Sequence, residues 1–143
     1  MNNTKIGTET EKTISGIFRE RGYWVYNCPK SSVGSQPVDL IAIKREIQYL
    51  VWLVDGKHVR EQDASFKLDR IEDNQWISLQ YAHDYANIKI ENLGFVIEFE
   101  RTNTFYWLGY QQAIELRDNK IKSINLSNLR LFEEVLDEYD NIQ

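Results

Sequence analysis

A chain of 143 residues with 17 Lys+Arg, 22 Asp+Glu and a formal net charge of -5 has the length of one domain, read here as residues 1–143. Its 42% hydrophobic and 27% charged residues are those of a soluble folded protein. The single cysteine, Cys28, excludes an internal disulfide and a thiolate zinc site and fits a reducing, cytoplasmic setting. No apolar run approaches the ~18 residues of a membrane span, and the start, MNNTKIGTETEK, lacks the apolar core of a signal peptide.

Residues 8–21 read as a helix with Ile14, Ile17 and Phe18 on one face, stopped at Gly22. Residues 23–26 are aromatic and β-branched, a strand. Pro29 and Pro37 bracket a polar loop. Residues 38–43 and 49–54 are apolar on both faces and read as buried strands joined by a tight turn near Arg45-Glu46-Ile47. Residues 58–67 are polar and irregular. A second helix is expected over residues 70–85, with Asp69 as N-cap and Glu72 completing a capping box. Residues 93–99 and 105–108 form a second hairpin, residues 111–116 a short helix. Ser127 caps a last helix bearing Leu129, Phe132, Val135, Leu136 and Tyr139, whose acidic run reads as a solvated face. The order αβββαββα implies an α/β domain with a central mixed sheet flanked by helices.

The chemistry concentrates at one end of the first hairpin. A turn centred on residue 47 makes partner numbers sum to 94 and sets Asp39 opposite Asp55. Lys57 shares the Asp55 face, because side chains alternate along a strand. Two carboxylates ~5 Å apart at an effective dielectric of ~20 repel by roughly 3 kcal/mol. Such a pair needs a shared proton or a cation between them, and a hard divalent ion, Mg²⁺ for preference, suits oxygen ligands. Glu11 lies on the apolar face of the first helix. It is either a helix-start acid favoured by the macrodipole or a third acid at the same sheet end. Gln75 shares a stripe with Ile71, Leu79 and Ala82. It is either a satisfied core glutamine or a group that positions a water or ligand.

The acidic balance argues against a nucleic-acid partner, which usually meets a basic footprint. The charge is uneven, however. Residues 1–70 hold 11 basic and 9 acidic side chains, and residues 71–143 hold 6 and 13. The first half, net +2, carries the pair of aspartates and a basic group within 14 residues: Lys57, Arg60, Lys67 and Arg70, with His58 among them. Acids interleave with these, so a mixed solvated surface competes with a phosphate-binding patch.

Pro37-Val38-Asp39 followed by Asp55-Gly56-Lys57 resembles the core of the PD-(D/E)XK nucleases. More closely, the chain is similar to Holliday junction resolvases of the archaeal type and the RecU-like group. Gly7-Thr8-Glu9-Thr10-Glu11 resembles their start and carries the family's helical glutamate onto Glu11. Ser31-Ser32-Val33-Gly34 resembles their serine-glycine loop, making Ser32 either a support for phosphate or metal or a plain turn serine. Phe66-Lys67-Leu68, Arg70-Ile71 and Asn74-Gln75 are similar to the RecU-like stretch whose helix carries a site-supporting glutamine. The resemblance covers about residues 6–116, with motifs up to Gln75. The chain departs from these families in Asp55, where Glu is more frequent, and in its short turn, which leaves no room for a RecU-like stalk.

The resemblance implies a restriction-endonuclease-like core and hydrolysis of DNA phosphodiester bonds. Asp39, Asp55 and Glu11 would hold Mg²⁺, with Mn²⁺ substituting. Lys57 would act on the attacking water or the phosphate, and Gln75 would support it. Ser32, Lys57, Arg60, Lys67 and Arg70 would meet the DNA. Branched DNA, a homodimer and a bacterial, archaeal or phage origin follow from the same resemblance. Two other readings stand beside it: a degenerate DNA-binding or protein-interaction module on this fold, and a restriction-like or nicking nuclease. The interaction reading would use the acidic C-terminal helix and the aromatics Trp76, Tyr81 and Tyr85.

Overall fold

The computed structural model describes residues 3–29 and 38–140. Ser32, with the rest of residues 30–37, lies outside them. Helix α1 (Asn3–Glu20) begins earlier than its apolar face suggests. It ends where Gly22 permits, at φ +90°. Gly22 N donates to Arg19 O and Tyr23 N to Phe18 O, a Schellman closure. Strands β1 (Trp24–Asn27), β2 (Leu40–Arg45) and β3 (Tyr49–Val59) form an antiparallel meander. Leu40 pairs with Val54 and Ile43 with Val51, the register that a turn centred on residue 47 requires.

Strand β3 does not stop at Val54. It runs on to Val59 because its far half pairs in parallel with β5 (Leu93–Phe99), through Val59 and Phe99. Lys57 therefore sits within a strand, not beyond one. A short β4 (Ser65–Lys67) and a 3₁₀ turn, Leu68–Arg70, lead into α2 (Asp73–Ala86). The helix starts three residues later than the Asp69 cap would place it. Glu72 is the N-cap and Gln75 its capping-box partner. Strand β5 pairs antiparallel with β6 (Thr104–Gly109), and α3 (Tyr110–Asp118) follows.

Two further corrections concern the C-terminal part. Strand β7 (Ser123–Asn125) pairs with β4 in a separate ribbon. Ser127 caps nothing: it lies in a 3₁₀ turn, and its N–H donates to Asn125 Oδ1. After it, β8 (Arg130–Leu131) adds to β6 before α4 (Phe132–Asp140) begins. The main sheet is mixed, in the order β1-β2-β3-β5-β6-β8, with β3 and β5 its parallel pair.

Alternation puts Leu40, Ala42, Trp52, Val54 and Val96 on one face, packed with Ile14 and Phe18 of α1 and Phe132 and Leu136 of α4. The opposite face of β5 and β6 buries Phe95, Ile97, Phe99 and Leu108 with Leu79 of α2 and Ala113 of α3. The acidic run is not simply solvated: Arg21, just past α1, bridges Asp137 and Asp140, Lys44 reaches Asp140, and Arg130 pairs with Glu138.

Candidate active site

The site forms where β2 ends and β3 runs on, paired only with β5. Asp39 N–H donates to Val54 O, holding Asp39 in line with the β2–β3 ladder. Its Oδ2 then accepts the N–H of Gly56 at 2.7 Å, a backbone donor that β2 no longer reaches. A Cβ at Gly56 would stand 3.0 Å from Ile14 Cδ1 and 3.5 Å from Asp39 Oδ2, so a residue without one lets α1 close on the site.

Asp55 is 2% exposed. Burial, above all, pushes its carboxyl up to about 7; neighbouring Lys57 pulls it down and Asp39 pushes it up again. Asp55 Oδ2 lies 2.9 Å from Lys57 Nζ yet is buried without a well-aligned hydrogen bond. Lys57 Nζ also donates to Arg70 O at 3.1 Å and Gln75 Oε1 at 3.2 Å. Gln75 Oε1 accepts the N–H of Glu72 at 3.0 Å as well, so one amide oxygen both caps α2 and holds the lysine. An ammonium has three protons, and three acceptors surround this one.

Glu11 is placed by α1 beside β1. It is buried, and Asn27 Nδ2 donates to it at 3.4 Å and to Ser15 Oγ at 2.7 Å. Among the described residues no three of the His, Cys, Asp and Glu side chains gather as a metal site. The structure thus brings together Asp39, Asp55, Lys57 and Gln75, with Glu11 next to Thr10, which flanks Gly56.

Lys57, Arg60, Lys67 and Arg70 line one open cleft of about 500 Å³, with Gly56 and Thr10 on its walls. Their roles differ. Arg60, Lys67 and Arg70 are all exposed. The Arg70 guanidinium is nonetheless tied to the protein, donating to His58 O at 2.6 Å and lying 5.5 Å over the Phe66 ring. His58 pairs with acids: its Nε2 is 3.2 Å from Glu100 and 3.8 Å from Glu98. Thr10 Oγ1 donates to the same Glu98 carboxylate at 2.7 Å. Sequence reasoning missed Asn27 at the end of β1, Glu98 on β5 and Glu100 in the turn after it, which only the tertiary fold brings to this region.

No helix among the described residues is long and apolar enough to cross a membrane. No family model and no curated protein matches the chain. Chains of solved structures do, two among them as follows. One is the 1.6 Å structure of Archaeoglobus fulgidus Hjc, a Holliday junction resolvase from an archaeal hyperthermophile. It superposes with a TM-score of 0.61 at 12% identity, over 90% of this chain and 97% of that one. The other is D212, a nuclease from a fusselovirus, with a TM-score of 0.50 at 12% identity over 92% and 86%. At that identity the likeness is one of architecture. Over 90% of its length the chain thus has the fold of a resolvase-like nuclease.

Proposed function

We propose that this chain is a metal-dependent endodeoxyribonuclease that cuts branched DNA. The observation that carries the reading is the buried Asp55 beside Asp39, with an oxygen that lacks a well-aligned hydrogen bond, and a lysine 2.9 Å from it that Arg70 O and Gln75 Oε1 hold in place. A fold gains nothing in stability from such a pair. The donor set fits one hard divalent ion: Mg²⁺ is commonly held by one or two carboxylates and keeps several waters. Asp39 and Asp55 would hold it, with the Gly56 carbonyl as a further ligand. When bound, the ion supplies a more acidic water and neutralises charge on the phosphate.

The chain's own groups do the rest. Lys57 keeps a fixed positive charge at the mouth of the cleft, where a scissile phosphate gathers negative charge during attack. Gln75 and the Arg70 carbonyl hold it there. Arg60 and Lys67 attract the DNA backbone, so affinity falls with salt.

Cutting both strands of a four-way junction needs two sites, and so a second copy. The face of β1, β2 and β3 away from α1 suits that role. Trp24, Ile43 and Val51 stand in register across it. Trp24 is 61% and Tyr49 72% exposed, and the Trp24 and Tyr26 rings stack at 6.1 Å. Aromatic side chains bury about 150–250 Å² each. The exposed parts of Trp24, Tyr26 and Tyr49, with Ile47 at the turn, would form the apolar centre of an interface whose rim makes up the rest of the ~800 Å² per partner of a standard one.

The test compares cleavage of a four-way junction by wild type, Asp39→Asn and Lys57→Ala at equal concentration in Mg²⁺. Loss of cutting by at least ~10²-fold in both variants, with unchanged circular dichroism, supports the assignment. Full activity in either one contradicts it.

A further inference from the structure

We infer that Arg70 is a positioning residue for Lys57 and not a contact for the DNA backbone. The inference rests on the nuclease reading of the site and assigns one of its basic residues a different task.

The argument starts from the free edge of β3. Residues 54, 56 and 58 direct their backbone groups toward β2, but β2 ends at Leu40 opposite Val54. Beyond that point the edge needs other partners. Asp39 satisfies it first, through Val54 O and then Gly56 N. Further along the same edge, Arg70 Nη1 donates to His58 O at 2.6 Å. So an arginine from the turn before α2 occupies the place of a missing strand.

The same residue acts in the reverse direction one position earlier. Arg70 O accepts from Lys57 Nζ at 3.1 Å. Its side chain is thus bound to the backbone of residue 58, and its backbone to the side chain of residue 57. This crossed pair fixes the distance between the 3₁₀ turn and β3, and with it the Arg70 carbonyl that holds the ammonium. Phe66, fully buried, offers its ring 5.5 Å beneath the guanidinium. A planar guanidinium can lie flat on that ring while its edge donates to a carbonyl. A lysine has the charge but not that geometry. Without the guanidinium, the turn loses its tie to β3, and Lys57 keeps only Gln75 and Asp55 as fixed partners.

The experiment compares Arg70→Lys, Arg70→Ala and Lys67→Ala with wild type. It measures kcat and KM on a four-way junction in Mg²⁺, the salt dependence of DNA binding, and the Lys57 ammonium signal in heteronuclear NMR of the DNA-free protein. Arg70→Lys, which keeps the charge, is expected to lower kcat at least 10-fold, with KM and salt slope within 2-fold. Its Lys57 signal should broaden through faster exchange. Lys67→Ala should raise KM and flatten the salt slope. Wild-type kcat with an intact Lys57 signal in Arg70→Lys overturns the inference. So does a flattened salt slope with intact kcat in Arg70→Ala, which is what a phosphate ligand would give. Should Arg70→Ala not fold, Arg70→Lys decides alone. Should wild type cut no DNA, the nuclease reading falls. The NMR comparison then still decides: loss of the Lys57 signal supports the clamp and its retention overturns it.

Discussion

Replacing Asp55 with Asn should flatten the pH dependence of stability. In the folded, metal-free protein the Asp55 carboxyl titrates at about 7 instead of 3.8. Unfolded, it ionises at the ordinary value. Between those two pH values the folded chain holds a proton that the unfolded chain has released. Stability therefore falls as pH rises from about 4 to about 7, and stays level above. At about 1.4 kcal/mol per pH unit, ionising Asp55 in place costs about 4 kcal/mol.

An amide at this position does not titrate, so the Asp55→Asn variant lacks that contribution. The two proteins should be compared by urea unfolding at several pH values between 4.5 and 8, with chelator present. Tryptophan fluorescence can follow the transition, since Trp52 is fully buried. The substitution itself can add a constant offset, so the reading is the change of the difference with pH. The variant should gain on wild type by a few kcal/mol between pH 4.5 and 8. A difference that stays constant over that range would refute the reasoning, for Asp55 would then ionise freely. Added Mg²⁺ should raise the wild-type midpoint most at pH 8 and leave that of Asp55→Asn unmoved.

Gln75→Ala should lower stability by about 1 kcal/mol through loss of the capping box, and should also lower kcat, because the same oxygen holds Lys57; thermal melts and kinetics report the two effects separately. Gly94→Ala should cost about 1–3 kcal/mol or more, since its Cβ would stand 2.5 Å from Leu108 O on the neighbouring strand; a urea midpoint equal to wild type would contradict that packing. Trp24→Glu should convert a dimer to a monomer by light scattering, while leaving the fold intact. A wild-type monomer at working concentration would remove the sheet face as an interface.

Much of the site was legible because strands alternate and hairpins count. A turn centred on residue 47 sufficed to set Asp39 by Asp55, and the structure's Leu40–Val54 pair keeps that register. Gly22 was readable as a stop because only its φ suits the closure it makes. The start of α2 was not legible. Asp69 with Glu72 and Glu72 with Gln75 have the same spacing, and the 3₁₀ turn at Leu68–Arg70 decides between them. That turn is held from afar, by Leu68 N donating to Lys122 O.

Strands β4 and β7 have three residues each, too few to show a period. The extension of β3 through Lys57 depends on a parallel partner far along the chain, which no local pattern announces. Glu11 was legible as a buried acid from its place on the apolar stripe of α1, and the structure buries it. Charge was the least informative signal taken whole. Three of the acids in the last helix are used within the chain, bound to Arg21 and Arg130, and do not oppose DNA at the cleft.

The most direct test is a cleavage panel with the purified protein. Four-way junction, flap, duplex and single-stranded DNA are each incubated with Mg²⁺, Mn²⁺ or chelator, and both strands are read at nucleotide resolution. The account predicts paired, symmetric cuts in the junction with either metal and none with chelator. No cutting of any DNA form in Mg²⁺ or Mn²⁺, or undiminished cutting in chelator, would contradict it.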